Sequence, residues 1–296
     1  MSSKPITLDA LNALPLATFV EVLGAIFEHA PWVAEKAAAR RPFATIAELH
    51  AAMCTAVATA PEAEQVAFLR GHPELGGKVA RAGAMAEASR HEQGALGLDR
   101  LSELEFVRFE RLNAAYQERF GFPFIICVRR HTRDSILDRF EARLRHDRPA
   151  EIAQALAEIG YITRLRLVDL VEGPGAPKVA GRLSTHVLDL STGKPAPGLR
   201  IVLKEVGASA TSILKETVTN HDGRTDEPLM AGGPLRIGRY QLDFHVGPYF
   251  AAGNYPVSDP PYLDVIPICF AIAEPEGHYH VPLLASPWSY STYRGS

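Results

Sequence analysis

The sequence is short of the features that mark secreted, membrane-bound or nucleic-acid-binding chains. Only three cysteines occur in 296 residues, at Cys54, Cys127 and Cys269. They are scattered, odd in number and fit no metal-ligand spacing, so reduced thiols in a cytoplasm are the expected state. Neither sign of charge dominates. The 31 Lys and Arg against 34 Asp and Glu leave a net charge of −3, and neither nucleic acid nor an anionic membrane is expected as a partner. No apolar run approaches the roughly 20 residues of a membrane-spanning helix. Residues 1–18 lack the basic start and apolar run of an export signal, and the last three residues are not a peroxisomal address. No internal repeat or low-complexity tract occurs.

What is there is the composition of a soluble globular protein, 47% hydrophobic and 22% charged. Its length suits one large domain or two of ordinary size, each with its own core. The hydrophobic period changes near residue 172. Before it, Phe19, Val22, Leu23, Ile26 and Phe27 form one helical stripe, and Phe109, Leu112, Tyr116 and Phe120 another. Ser102 and Glu105 supply a capping box ahead of the second stripe. Pro149 stands at the start of a third helix running from about Glu151 to Val171. The segment EGPGAPK, beginning at residue 172, has no periodic apolar residues and reads as a linker. Beyond it come short runs between turn signals: RIVLKEV over 200–206, then RYQLDFHV over 239–246, where Tyr240, Leu242, Phe244 and Val246 alternate with polar partners. The prediction is an all-α half followed by an all-β sandwich.

Both halves carry side chains able to do chemistry. In GHYHVPLL (277–284), strand alternation puts His278 and His280 on one face and Tyr279 on the other. Taken alone, the pair is an exposed strand start, a zinc set completed by a third histidine such as His186, or a site of proton transfer. No cysteine or carboxylate is spaced to strengthen the metal reading, and no metal is assigned. His186, in LSTHVLD (183–189), is on its own either a structural strand histidine or a catalyst. Arg224 follows the Asp-Gly turn of HDGRTDEP (221–228) and by itself is a solvated loop charge. The sequence closes on Tyr293-Arg294-Gly295-Ser296, unusually rich in function for a stretch that is ordinarily frayed.

In the N-terminal half, Pro73 holds His72 of GHPELGGK (71–78) out of helical conformation, so its imidazole sits on a rigid loop, where most histidines are plain surface. In SRHEQ (89–93), Ser89, Glu92 and Gln93 share a helix face that alone would be capping or ion-pairing surface. FGFPFIICVR (120–129) is a proline-broken apolar run with β character. It is plain core, or it offers backbone N–H groups from Phe124, Ile125, Ile126, Cys127 and Val128 to a ligand. Arg166 shares a face with Ile159, Ile162 and Leu170. A guanidinium in an apolar stripe needs a partner, and Glu92 or an anionic ligand would serve.

Taken in order, the LSTHVLD strand, the arginine after a D-G turn, the HYHVPLL strand and the terminal Y-R-G-S resemble the 5-hydroxyisourate hydrolases, the enzymatic branch of the transthyretin-like family, over residues 178–296. The resemblance implies a transthyretin-like sandwich in which His186, Arg224, His280 and Ser296 are catalytic and Tyr293, Arg294 and Gly295 contact substrate. In such chemistry a histidine near neutral pKa takes a proton from water, and a guanidinium stabilises the developing oxyanion. His186 is the expected base and His280 its orienting partner. HPELGGK, SRHEQ, GLDRLS, FGFPFII and RLRLVDL together resemble the 2-oxo-4-hydroxy-4-carboxy-5-ureidoimidazoline (OHCU) decarboxylases over most of residues 8–171. That resemblance implies catalysis by His72 and Glu92, and substrate contact by Pro73, Ser89, Gln93 and the backbone from Phe124 to Val128. Arg166 is suited to hold the substrate carboxylate.

The expectation is therefore a multidomain enzyme: a helical decarboxylase-like domain over 1–171, a linker over 172–177 and a hydrolase sandwich over 178–296. It would hydrolyse 5-hydroxyisourate to OHCU and decarboxylate OHCU to S-allantoin and CO2, two steps of purine breakdown that follow urate oxidation, without metal or organic cofactor. Its partners would be these two small molecules and copies of itself, with a tetramer favoured. One rival is a carrier sandwich fused to a helical oligomerisation domain, which would bind without turnover. The other is a zinc hydrolase using His186, His278 and His280.

Overall fold

The computed structural model describes residues 5–76, 94, 96, 98, 101–208, 210–253 and 255–295. Two compact units divide the chain, one of residues 1–129 with 136–179, the other of residues 130–135 with 180–296. The helical region runs α1 (Leu8–Ala13), α2 (Leu16–Leu23), α3 (Pro31–Ala38), α4 (Ile46–Ala58), α5 (Glu62–Arg70), α6 (Glu103–Phe120), α7 (Arg133–Arg143) and α8 (Arg148–Leu170). Helix ends follow local chemistry. Ser102 Oγ accepts the Glu105 N–H at 3.3 Å, and Glu105 returns a bond to the Ser102 N–H at 2.9 Å. The same helix stops at Gly121, whose φ of 78° suits glycine. Thr45 and Asp147 cap α4 and α8 through their side chains. Phe19, Leu23, Ile26 and Phe27 are buried as the stripe predicts, although α2 itself ends at Leu23.

Tyr116 of α6 lies amid Phe120, Phe122, Phe124 and Phe140, the last two stacked with centroids 3.8 Å apart. A hydroxyl in such surroundings needs a partner, and it donates to Glu151, which has no solvent exposure. Arg143 reaches the same carboxylate through Nε at 2.8 Å and Nη2 at 2.6 Å, and His146 Nδ1 lies 2.8 Å from its other oxygen. The remaining Arg143 nitrogen, Nη1, donates to the Ile125 carbonyl at 2.8 Å, and the Cys127 N–H donates to Glu158 at 2.9 Å. The 121–127 segment therefore forms no strand, despite its β-type composition. Buried side chains take up its polar backbone groups instead of a sheet neighbour.

Among the described residues the all-α pattern has one exception. Strand β1 (Ile6–Thr7) pairs in parallel with β2 (Val171–Glu172). The stretch that follows is tied to this unit as well. The Pro174 and Gly175 carbonyls accept the Ile46 and Ala47 N–H groups at 3.0 and 3.2 Å, satisfying donors that the first turn of α4 leaves open. Gly175 has φ 61°, and a Cβ there would lie 2.6 Å from the Thr45 Cβ.

In the strand unit, β3 (Arg182–Ser184) and β4 (Val187–Asp189) run parallel to β10 (His278–His280) and β11 (Leu283–Ser286). Val281 and Leu283 N–H groups donate to the Ser184 and His186 carbonyls, and Pro282, which has no N–H, marks the gap between the two short ladders. β11 and β4 continue into a four-stranded sheet with β12 (Ser289–Thr292) and β5 (Lys194–Pro195). A second sheet has the order β7 (Thr211–Val218), β6 (Arg200–Val206), β8 (Gly238–His245), β9 (Val265–Ile272). Leu183, Val187 and Leu283 share one core with Ile201, Leu203, Tyr240, Leu242 and Phe244, the alternating face predicted for β8. Val246 is buried too, but it opens helix α9 (Val246–Ala252), because Pro248 has no N–H to extend the ladder.

Removing one partner from a buried ion pair strands the other, so Glu151→Ala is expected to destabilise the helical unit by about 3–5 kcal/mol. Denaturant unfolding followed by the helical far-ultraviolet signal would register this as a lower midpoint. An unchanged midpoint would show that the network adds nothing.

Candidate active sites

The helical unit places His72 just beyond the end of α5, where Gly71 caps the helix. Its Nδ1 lies 3.2 Å from the Phe68 carbonyl, so Nδ1 carries the proton and donates, leaving Nε2 as the acceptor. The Phe68 ring meets the imidazole edge-on at 5.0 Å. Burial is the main force lowering the His72 pKa; the Phe68 carbonyl and Glu28 oppose it, and Arg166 and His29 reinforce it. The imidazole is therefore neutral at pH 7. Its pocket is walled by Pro73 and Leu75, by Phe124, Ile125, Ile126 and Val128, and by Ile159, Ile162, Thr163 and Arg166 of α8. Ile26 and Glu28 complete the described lining, with Glu28 Oε2 3.7 Å from Arg166 Nη1. This pocket offers a neutral imidazole and a cation, flanked by apolar walls that weaken competition from water.

In the strand unit, parallel register sets Ser184 opposite His280, and alternation brings His186 to the same face. Ser184 Oγ lies 3.2 Å from His278 Nε2 and 3.0 Å from His280 Nδ1, so one hydroxyl links both rings. Tyr279 points the other way, buried, with its hydroxyl accepting the Ala273 and Glu274 N–H groups at 3.0 and 2.9 Å. The backbones of His186 and Arg224 pair in an isolated antiparallel β-bridge. Gly223 makes this approach possible: φ is 69°, and a Cβ there would lie 2.3 Å from the Val187 carbonyl. Burial first, then the Arg224 charge, lowers the pKa of both His186 and His280. At the chain end, the Gly295 N–H donates to the His280 carbonyl at 3.0 Å, and a Cβ on Gly295 would lie 2.6 Å from the His280 ring.

Of the residues singled out from sequence, His72, Pro73, Phe124, Ile125, Ile126, Val128 and Arg166 meet in the first pocket. Cys127 does not join them, since its N–H is held by Glu158. His186, Arg224, His280 and Gly295 come together in the second site. Arg294 instead lies over the Tyr279 ring at 5.2 Å, and Tyr293 is exposed. Ser89, Glu92, Gln93 and Ser296 lie outside the described residues. The sequence offers Glu92 or an anionic ligand as partner for Arg166; among the described residues Glu28 stands beside it. Among those residues no three His, Cys, Asp or Glu side chains gather as a metal set. Two residues escaped the sequence reading. Ser184 was findable, two positions before His186 on a strand, whereas Glu28 stands in an inter-helix turn with no periodic signal.

Residues 12–168 match the family model described as OHCU decarboxylase, and residues 183–295 match that of the HIUase/Transthyretin family. A 5-hydroxyisourate hydrolase of Deinococcus radiodurans is 53% identical over 114 residues, covering 38% of this chain and 95% of that protein. A 2-oxo-4-hydroxy-4-carboxy-5-ureidoimidazoline decarboxylase of Haloferax volcanii is 42% identical over 164 residues, 55% of this chain and 95% of that protein. The crystal structure of an (S)-allantoin synthase, 35% identical, aligns over 99% of this chain and 100% of its own with a TM-score of 0.54.

Because the Arg224 charge holds both imidazoles down, Arg224→Gln is expected to raise the titration midpoints of His186 and His280. The pH dependence of their imidazole proton resonances measures this directly. Unmoved midpoints would mean that the guanidinium does not act on either ring.

Proposed function

The chain belongs to the OHCU decarboxylase family over residues 12–168 and to the HIUase/transthyretin family over residues 183–295, and from this we infer a bifunctional enzyme of urate degradation. Its C-terminal unit hydrolyses 5-hydroxyisourate, and its N-terminal unit decarboxylates the product, OHCU, to (S)-allantoin and CO2. The observation that carries this reading is the end-to-end correspondence with an allantoin synthase, with neither half left over.

For hydrolysis we assign His186 as the base. Neutral at pH 7, it takes a proton from the water that attacks the ring carbonyl, while the Arg224 guanidinium stabilises the oxyanion. His280, linked to Ser184, orients the base and water. Collapse of the intermediate opens the C–N bond, and the proton held on the imidazole goes to the leaving nitrogen. Tyr293, Arg294 and Gly295 are assigned to substrate contact and Ser296 to catalysis; the bond from Gly295 to His280 supports the placement of Gly295, whereas Arg294 would have to leave the Tyr279 ring to reach the substrate.

For decarboxylation, Arg166 receives the substrate carboxylate before CO2 leaves. The electron pair released passes into the ring imine, whose nitrogen takes up a proton from solvent. The hydroxyl proton moves to His72 Nε2 and then to the carbon bearing the ureido group, giving the ring carbonyl of allantoin. Glu92 is assigned as the catalytic partner that orients and tunes His72, and Ser89 and Gln93 are assigned to hold the substrate, together with Pro73 and the backbone flanking Cys127. A resting imidazole that accepts before it donates suits the Nδ1–H bond to Phe68. Neither assigned sequence of steps requires a metal or organic cofactor.

We also propose a homo-oligomer, with a tetramer favoured. Exposed edge strand β12, with Tyr290 at 47% exposure and Trp288 beside it at 56%, supports this, and light scattering tests it. That Cys54, Cys127 and Cys269 form no disulfide supports a reducing, cytoplasmic setting.

The deciding experiment generates 5-hydroxyisourate in place from urate and urate oxidase, then follows its ultraviolet decay and the circular dichroism of the product. Wild type should accelerate both signals. His72→Ala should let OHCU accumulate, and His280→Ala should slow hydrolysis, each by on the order of 10²-fold or more. A wild type matching the uncatalysed control in both signals would overturn the enzyme reading and favour a binding scaffold.

A further inference from the structure

We propose that Glu28 is a positioning residue of the decarboxylase site, anchoring Arg166 for the substrate carboxylate and facing His72 across the same pocket. This rests on the decarboxylase reading of that pocket and adds a residue outside every motif that led to it. Glu28 is 8% exposed, and its Oε2 stands 3.7 Å from Arg166 Nη1. A carboxylate is seldom buried without a task, because the loss of hydration must be offset by charge or hydrogen bonding.

The backbone around Glu28 is built to aim it inward. Gly24 ends α2, where a Cβ would fall 2.7 Å from the Val20 carbonyl. The Ile26 and Ala30 N–H groups close successive turns onto Leu23 and Phe27 at 3.0 Å each. Ile26 and Phe27 are buried in the core immediately ahead of Glu28. Pro31 then opens α3 and keeps Ala30 out of helical conformation, at φ −131°. Between them His29 takes φ 58°, the sole left-handed non-glycine among the described residues. Such a conformation persists only where its surroundings dictate it. The His29 side chain is 68% exposed, so its own burial does not explain the strain. What the turn secures is the inward course of Glu28.

Two effects follow. Arg166 projects from an apolar wall of Ile159 and Ile162, and a carboxylate at Nη1 limits the swing of its long side chain. Glu28 also opposes the forces that keep His72 deprotonated. Among the described residues the charged and titratable groups facing His72 are Glu28, Arg166 and His29, and only Glu28 favours the imidazolium. The proton relay passes through that imidazolium, so loss of Glu28 must slow the relay and move the protonation of His72 to lower pH.

The test compares wild type, Glu28→Gln and Glu28→Asp in the full chain, measuring OHCU decarboxylation against pH, with 5-hydroxyisourate hydrolysis and a melting curve as controls. In Glu28→Gln, kcat should fall by about tenfold or more, and the acid limb of kcat/KM should move to lower pH. Glu28→Asp retains the charge and should keep the wild-type limb while raising KM. Glu28→Gln with unchanged kcat and limb overturns the proposal, as does Glu28→Asp matching the limb of Glu28→Gln. If Glu28→Gln does not fold, a displaced limb in Glu28→Asp overturns it alone. Absence of decarboxylation in wild type would instead defeat the functional reading on which this rests.

Discussion

Glu151 occupies the first turn of α8, where the helix dipole favours a carboxylate, and side chains from α6, α7 and the turn after α7 converge on it. Arg143 carries that anchoring onward to the Ile125 carbonyl. Glu158, two turns along α8, takes the Cys127 N–H, and Arg166 stands two turns beyond again. One helix therefore holds the irregular segment directly through Glu158 and indirectly through Arg143, and also presents the cation of the pocket. The stretch from Phe124 to Val128 has no strand neighbour, so its shape depends on these charged hooks. Their geometry must be good, since a buried charge with a poor partner destabilises what it touches.

The strand unit solves the same problem by register. Its histidines stand where alternation and parallel pairing put them, and Ser184 ties two of the rings together. The irregular elements are short. Pro282 interrupts the ladder beside His186, and Gly223 and Gly295 are places where a turn and a tail approach closely. At these points a side chain would collide with the Val187 carbonyl and the His280 ring.

Regular periods were the legible part of the sequence. The stripes of α2 and α6, the capping box at Ser102, the alternation of β8 and the shared face of His278 and His280 all follow from local spacing. Features that depend on distant contacts were not legible. Strands of two residues, such as β1 and β2, have no period to detect. The stretch after Val171 looks like free linker by composition, yet its carbonyls cap α4, a pairing visible only once residues 46 and 174 are neighbours. Val246 continues an apolar alternation, and the proline two positions later decides against the strand. Arg166 was recognisable as a cation in need of a partner, but Glu28 lies on a turn whose direction depends on a left-handed residue.

The bond between His72 Nδ1 and the Phe68 carbonyl leaves the imidazole a single nitrogen through which to exchange protons. The edge-on Phe68 ring limits rotation that would present the other. In the proposed decarboxylation, a planar carbon fixed in one orientation beside this nitrogen would receive its proton on the face turned towards it. Which nitrogen is offered rests on a main-chain oxygen in the last turn of α5, an atom that no side-chain substitution can remove.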